Sequence, residues 1–404
     1  MFRQRRGQLK VMQRRFPWVA VLLSVALSGA ATYWLLKPAL WPGTAPAEVA
    51  AHAAAPTAIA TPTPAAGPTQ KPFVEVRNPR KQASDFQAGV MMLLYGNDPY
   101  LEPNIRQKLD YMATLGVNSL GLVFPIFQTN GRSTDVHADP TRTPSAEQMT
   151  LFIREAHQRG FTVMMRPLLD EASLSAGGDW RGSIHPQPVD RWFAAYGDLM
   201  VTYANLAEAN GVESFDVGTE LNTIESYGPQ WLQVIKRVRQ AYTGLLTYSS
   251  ISGMGYPTRF AGALDFISID AYYPLNANAG ATTAELEQAW QGGIAQLDRI
   301  AIDSGMPVVV TELGTASRRG SYRAPSSANL GLPLDLEAQR AYYEASCNVL
   351  RGAVRGMYWW YMSPYLPKAP LTDMGFDPTG KPAEAELTQC FQGLSQHASA
   401  RGAR

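Results

Sequence analysis

Two short apolar runs in this 404-residue chain end in a glutamate. One reads Ser214-Phe215-Asp216-Val217-Gly218-Thr219-Glu220 and the other Pro307-Val308-Val309-Val310-Thr311-Glu312. The runs suit buried strands, and in both a Thr stands directly before the acid. One glutamate at a strand end commonly makes a salt bridge or caps a helix. Two in matching positions point instead to paired-carboxylate chemistry, in which one group attacks a carbon and the other passes a proton to the leaving oxygen. A pair about 5–5.5 Å apart does this to glycosidic bonds with retention of configuration. The acid then needs a raised pKa while the nucleophile stays ionised, so neighbours must divide the roles.

Several residues can serve as those neighbours. Arg166, in Met164-Met165-Arg166-Pro167-Leu168-Leu169-Asp170, would orient a carboxylate and help ionise it, unless it only pairs with Asp170. Tyr272 and Tyr273 follow another strand-like run; one hydroxyl can bind the nucleophile while the other ring packs. Trp359 and Trp360 are adjacent, so in a strand they face opposite ways: one toward a sugar site, one toward helices. Asn222 can touch a sugar hydroxyl or cap the next turn. Asp170 and Trp180-Arg181-Gly182 lie in a long loop suited to a cleft wall.

Other chemistries fit less well. The five histidines are His52, His137, His157, His185 and His397, and they form no HxH or HExxH pattern. There is no GxSxG elbow. No metal and no organic cofactor is expected. A net charge of +1, from 35 basic and 34 acidic residues, gives no basic face for nucleic acid.

Elements able to hold such a site alternate along the chain. Strand-like runs occur at 88–94, 117–124, 162–167, 214–219, 245–250, 266–271, 307–311 and 356–361. Helical spacing marks 104–115, 145–159, 189–210, 230–242, 283–304, 336–354 and 383–394, with Ser145 a good N-cap and Gly160 a stop. The fifth connection, near 257–264, is short. Eight strands alternating with helices predict a closed parallel (β/α)8 TIM barrel. A doubly wound open sheet is the alternative, but no glycine-rich phosphate loop follows the first strand. In the barrel, Glu220 and Glu312 fall at the catalytic end of the fourth and seventh strands, across the mouth from each other.

The barrel has a distinctive prelude. Residues 1–15 carry six basic side chains and no acid, and residues 16–41 are largely apolar. That run is long enough to span a bilayer, with the basic flank cytoplasmic. Its length favours an uncleaved signal anchor over a signal peptide cut near Ala45-Pro46-Ala47. Residues 42–72, rich in Ala, Pro and Thr, read as a linker, 73–396 as the globular domain and 397–404 as a flexible tail. Both readings put the domain outside the cytoplasm, tethered to the inner membrane or secreted. There, Cys347 and Cys390 can form a disulfide; two unpaired thiols are the alternative.

Residues from about 86 to 394 resemble glycoside hydrolase family 113, a (β/α)8 family of clan A. The resemblance rests on Val217-Gly218-Thr219-Glu220-Leu221, Asp270-Ala271-Tyr272-Tyr273-Pro274, Thr311-Glu312-Leu313-Gly314, Trp180-Arg181-Gly182 and Gly380-Lys381-Pro382-Ala383. It implies a retaining β-glycosidase with Glu220 as acid/base, Glu312 as nucleophile and β-1,4-mannan as substrate. Most of clan A has Asn before the acid/base, where it meets the sugar 2-hydroxyl; Thr219 stands there, as in family 113. A different class of function also suits the anchor and linker: a catalytically weak polysaccharide-binding component working with envelope polysaccharide-assembly proteins.

Overall fold

A computed structural model describes residues 86–401, apart from 171, 176, 329 and 330. The basic flank, the apolar segment, the linker, the first residues of the expected domain and residues 402–404 lie outside the described residues. Among the described residues no helix is long and apolar enough to cross a membrane.

Eight parallel strands close into a barrel: β1 (Gln87–Leu93), β2 (Ser119–Ile126), β3 (Thr162–Leu169), β4 (Ser214–Thr219), β5 (Leu245–Ile251), β6 (Ile267–Asp270), β7 (Val308–Leu313) and β8 (Gly356–Trp359). β8 pairs with β1, the closure that an open doubly wound sheet lacks. Around the barrel run α1 (Leu101–Thr114), α2 (Ala146–Gln158), α3 (Val189–Ala209), α4 (Gly228–Ala241), α5 (Thr283–Ser304), α6 (Leu336–Leu350) and α7 (Pro382–Arg401). Between β5 and β6 the described chain has only a 3₁₀ turn, Ala261–Ala263. α7 carries on to Arg401, through the described part of the expected tail.

Local chemistry sets several boundaries. The Ser145 hydroxyl accepts from the Gln148 N–H to start α2, and Gly160 follows that helix at φ 81°. Thr282 and Glu285 form a capping box at the head of α5, and Gly305 ends it in a left-handed conformation.

Two elements differ from their expected limits in ways that matter for the site. β3 runs on to Leu169, so Arg166 lies within the strand and fully inside the barrel rather than at its rim. β8 stops at Trp359, so Trp360 and Tyr361 leave the sheet.

The main core lies between the strands and the helices. A smaller apolar cluster fills part of the barrel itself: Met91, Val123, Met164, Leu168, Phe266, Val309 and Tyr358. Cys347 on α6 and Cys390 on α7 form a disulfide with their Cα atoms 6.0 Å apart. It ties down the last helix of the ring, a cross-link generally worth about 2–4 kcal/mol.

Candidate active site

Glu220 is the first residue past β4. The β4–β5 pairing shifts register between Asp216 and Thr219. Glu220 then turns out at φ 53°, the one described non-glycine residue with positive φ. A side chain in that left-handed region costs about 1–2 kcal/mol, so it persists only where the surroundings hold it. The Glu220 N–H donates to the Ser249 carbonyl at 2.8 Å. Its side chain meets Arg181, whose Nη1 donates to Oε2 at 2.9 Å while Nε donates to the Leu169 carbonyl at 3.1 Å. Arg181 opens a 3₁₀ turn, Arg181–Ser183, in the loop after β3. Gly182 lets that turn close up: a Cβ there would stand 2.4 Å from the Trp180 ring and 2.6 Å from Asn222 Oδ1. This is the physical reason for glycine in Trp180-Arg181-Gly182. The Asn222 carboxamide, two residues past Glu220, has both polar atoms buried and no hydrogen-bond partner among the described residues.

Glu312 stands opposite, on β7. It is 7% exposed, and Glu220 is 8% exposed, so each carboxylate shows only its tip at the mouth. Arg166 Nη2 lies 2.9 Å from Glu312 Oε1, and the Tyr272 hydroxyl donates to Oε2 at 2.9 Å. Both contacts favour the ionised carboxylate. Burial, together with Asp270 and Glu220, pushes the Glu312 carboxyl up more than Arg166 and Arg181 pull it down. Burial and Glu312 push the Tyr272 phenol well up, so it remains a donor.

Beneath this pair lies a buried polar layer. Arg166 Nη2 donates to Asp270 Oδ2 at 2.7 Å, and Nε lies 3.6 Å from Asp216 Oδ2. Ser249 Oγ donates to Asp216 Oδ2 at 2.6 Å, Thr311 Oγ1 donates to Asp270 Oδ1 at 3.0 Å, and the two hydroxyl oxygens are themselves 3.0 Å apart. Burial, against the pull of Arg166 and Ser249, raises the Asp216 carboxyl to about 6.

The expected residues divide. Glu220, Glu312, Arg166 and Tyr272 converge, and the ion partners of Arg166 are Asp216, Asp270 and Glu312. Tyr273 does not join them. Its ring packs edge-on against Trp290 of α5, because the residue after an inward-facing one points out. Trp359 is also on the outer side, fully buried and stacked on Tyr343 of α6 at 3.8 Å. The same alternation leaves Trp360 half-buried against the inner cluster, at the mouth end of β8. Asp170 is buried at the end of β3, near Tyr95 and Arg142. The Thr219 hydroxyl donates to Asp216 Oδ2 at 3.3 Å, spending its proton inside the barrel. Sequence reasoning missed Asp216 and Asp270, and it gave Arg181 no role with Glu220. Acidic residues in strands buried on both faces were the available signal. Among the described residues no cluster of three or more His, Cys, Asp or Glu could hold a metal ion.

Two buried guanidiniums therefore serve four buried carboxylates. Burial in this arrangement holds the carboxyls of Glu312 and Asp216 above the ordinary carboxylate range.

Comparison with known proteins agrees with the barrel fold. The model of Glycoside Hydrolase Family 113 matches residues 94–381. The family 113 β-mannanase AaManA from Alicyclobacillus acidocaldarius, solved in complex with ManMIm, superposes with a TM-score of 0.68 at 26% identity, over 76% of this chain and 98% of that one. A complex of a family 113 β-1,4-mannanase gives 0.67 and 25%, over 76% and 99%. The endo-β-1,4-mannanase from Thermotoga petrophila gives 0.51 at 13% identity, over 78% and 77%, a likeness of fold alone. No curated protein matches the sequence. The family match spans most of the barrel: the chain belongs to glycoside hydrolase family 113, and it is a retaining β-glycosidase.

Proposed function

We propose that the chain cleaves β-1,4-mannan or a related secreted polysaccharide within its chains, by double displacement, with Glu312 as nucleophile and Glu220 as acid/base. The observation that carries this reading is the asymmetry of the two carboxylates. Arg166 and Tyr272 both address Glu312, which favours its charged form and aims it at an anomeric carbon. Glu220 faces the Arg181 guanidinium, which donates to its Oε2. Double displacement needs the charge on Glu312 and the proton on Glu220, a division that the Arg166 and Tyr272 contacts to Glu312 support.

The steps follow from that division. Glu312 attacks the anomeric carbon as Glu220 protonates the leaving oxygen, giving a glycosyl-enzyme ester and a free sugar end. Glu220, now a carboxylate, takes a proton from water as the water attacks the same carbon and releases Glu312. Trp360 and the Trp180–Asn222 corner flank the carboxylates as sugar contacts, and Asn222 has an unused donor and acceptor to offer hydroxyls. The mannan assignment draws on the mannanases to which the chain is similar.

The basic flank and apolar segment, with the linker behind them, support an inner-membrane anchor with the barrel outside the cytoplasm. The Cys347–Cys390 disulfide supports an oxidising compartment. Free thiols at both positions in chain trapped by alkylation directly from cells would count against that location. A catalytically silent binding role has less support, because a binding cleft needs neither carboxylate charged by design.

Release of reducing ends from β-mannan, glucomannan, cellulose and bacterial exopolysaccharides tests the reading. Glu312→Ala should lower kcat by at least about 10⁴-fold with the fold intact. Near-wild-type activity in that variant would overturn the assignment.

A further inference from the structure

The left-handed turn at Glu220 needs a holder, and the structure supplies one from outside the barrel. Tyr248 and Ser249 are neighbours on β5 whose side chains face opposite ways. The Ser249 carbonyl accepts the Glu220 N–H at 2.8 Å. The Tyr248 hydroxyl accepts the next N–H, that of Leu221, at 3.0 Å, and gives its own proton to Glu225 Oε1 at 2.9 Å. Two consecutive residues of one strand thus grip the peptide units on both sides of Glu220.

The hydroxyl is set in place by packing. Tyr248 is fully buried, edge-on to Trp231 of α4 and to Phe260, each at 5.2 Å between centroids. Gly218 lets the ring come close to β4: a Cβ there would stand 2.9 Å from both Tyr248 and Trp231. Other polar tips of the same aromatic wedge hold the same stretch of chain. The Tyr196 hydroxyl donates to the Val217 carbonyl at 2.8 Å, and Trp231 Nε1 donates to the Ile224 carbonyl at 3.0 Å. Glu225 closes the circuit from the far side of the 3₁₀ turn Asn222–Ile224. Burial raises its carboxyl to about 7, against the pull of the Tyr248 hydrogen bond. Charged or neutral, a carboxyl oxygen accepts from a phenol.

We propose that Tyr248, braced by Glu225, is a positioning residue for the acid/base: it fixes the Glu220–Leu221 peptide, and through it the direction of the Glu220 carboxyl. This rests on the role proposed for Glu220. A misdirected Glu220 donates its proton poorly, so the defect grows as the leaving group needs more help. A general loss of structure would slow all substrates alike.

The test uses the full chain and aryl β-mannosides with dinitrophenol or phenol as leaving group. In Tyr248→Phe, which keeps the ring, kcat/KM should fall about tenfold more for the phenyl than for the dinitrophenyl substrate, with KM little changed. Glu225→Ala, which leaves Tyr248 in place, should give the same selectivity at about threefold, and Glu225→Gln, which keeps an acceptor, should restore it. Glu220→Ala is the reference. If it discriminates between the leaving groups while Tyr248→Phe and Glu225→Ala do not, the positioning role is wrong and the acid/base stands. If Glu220→Ala does not discriminate, the acid/base assignment falls and the positioning role with it. Should Tyr248→Phe not fold, the Glu225 pair decides alone.

Discussion

The interior of this barrel has two unlike halves. Toward β1–β3 and β8 it is filled by Met91, Val123, Met164, Leu168 and Tyr358, an ordinary apolar packing joined from the far side by Phe266 and Val309. Toward β4–β7 it holds Asp216, Thr247, Ser249, Ser268, Asp270 and Thr311, all fully buried and linked by short hydrogen bonds. Arg166 reaches from the apolar side into the polar one. Dispersion and exclusion of water hold the first half, and it tolerates small errors of shape. The ion pairs of Arg166 and a dense set of hydrogen bonds hold the second, and it tolerates few errors of any kind. The polar half supports both carboxylates at the mouth, so under the function proposed for them a barrel interior that usually serves stability also serves chemistry.

Three substitutions would break or sharpen that contrast. Arg166→Met should have the largest effect. It leaves Asp216, Asp270 and Glu312 buried without their cation, which costs about 3–5 kcal/mol, and kcat should fall at least about 10³-fold. Chemical denaturation and steady-state rates measure both; a stable, active Arg166→Met would mean that the polar half is decoration. Met164→Ala, in the apolar half, should cost about 2–5 kcal/mol by leaving a cavity, yet kcat at 25 °C should change by less than about threefold. A large kcat loss there would erase the distinction between the halves.

Asp216→Asn should act most quietly, and through pH. The folded carboxyl titrates at about 6, above the ordinary value of 3.8, so the folded state holds the proton more tightly than the unfolded one. Its contribution to stability is complete below about pH 4 and is lost as pH rises through 6, in total on the order of 2–3 kcal/mol. Asparagine does not titrate, so the variant's stability curve should lose that fall between pH 4 and 7. An unchanged slope would show that Asp216 is ionised throughout.

Much of the architecture was legible in the chain. The short apolar runs and the helical spacings located all eight strands and the short fifth connection, because a barrel strand is buried on both faces while a surrounding helix buries only one. Ser145 and Gly160 were readable as the ends of one helix for similarly local reasons. Glu220 and Glu312 stood out because an acid ending an apolar strand has nowhere to go but the rim. Adjacent residues on one strand were harder. Tyr272 and Tyr273, or Trp359 and Trp360, are equal in composition, and only the phase of the pleat sends Tyr272 and Trp360 inward. Arg166 reads as a strand-end residue only if the strand stops early; its true depth depends on where β3 leaves the sheet.

The sequence by itself determined the barrel and the two carboxylates at opposite strand ends, since residue type, period and order suffice for these; it named Arg166 and the Tyr272–Tyr273 pair without fixing what Arg166 meets or which tyrosine turns inward. Tertiary structure alone decided which carboxylate each guanidinium meets. It also decided that Thr219 turns inward and that the backbone at Glu220 is left-handed and held by Tyr248 and Ser249. Those are relations between residues tens of positions apart, created when the sheet closes, and no local pattern encodes them.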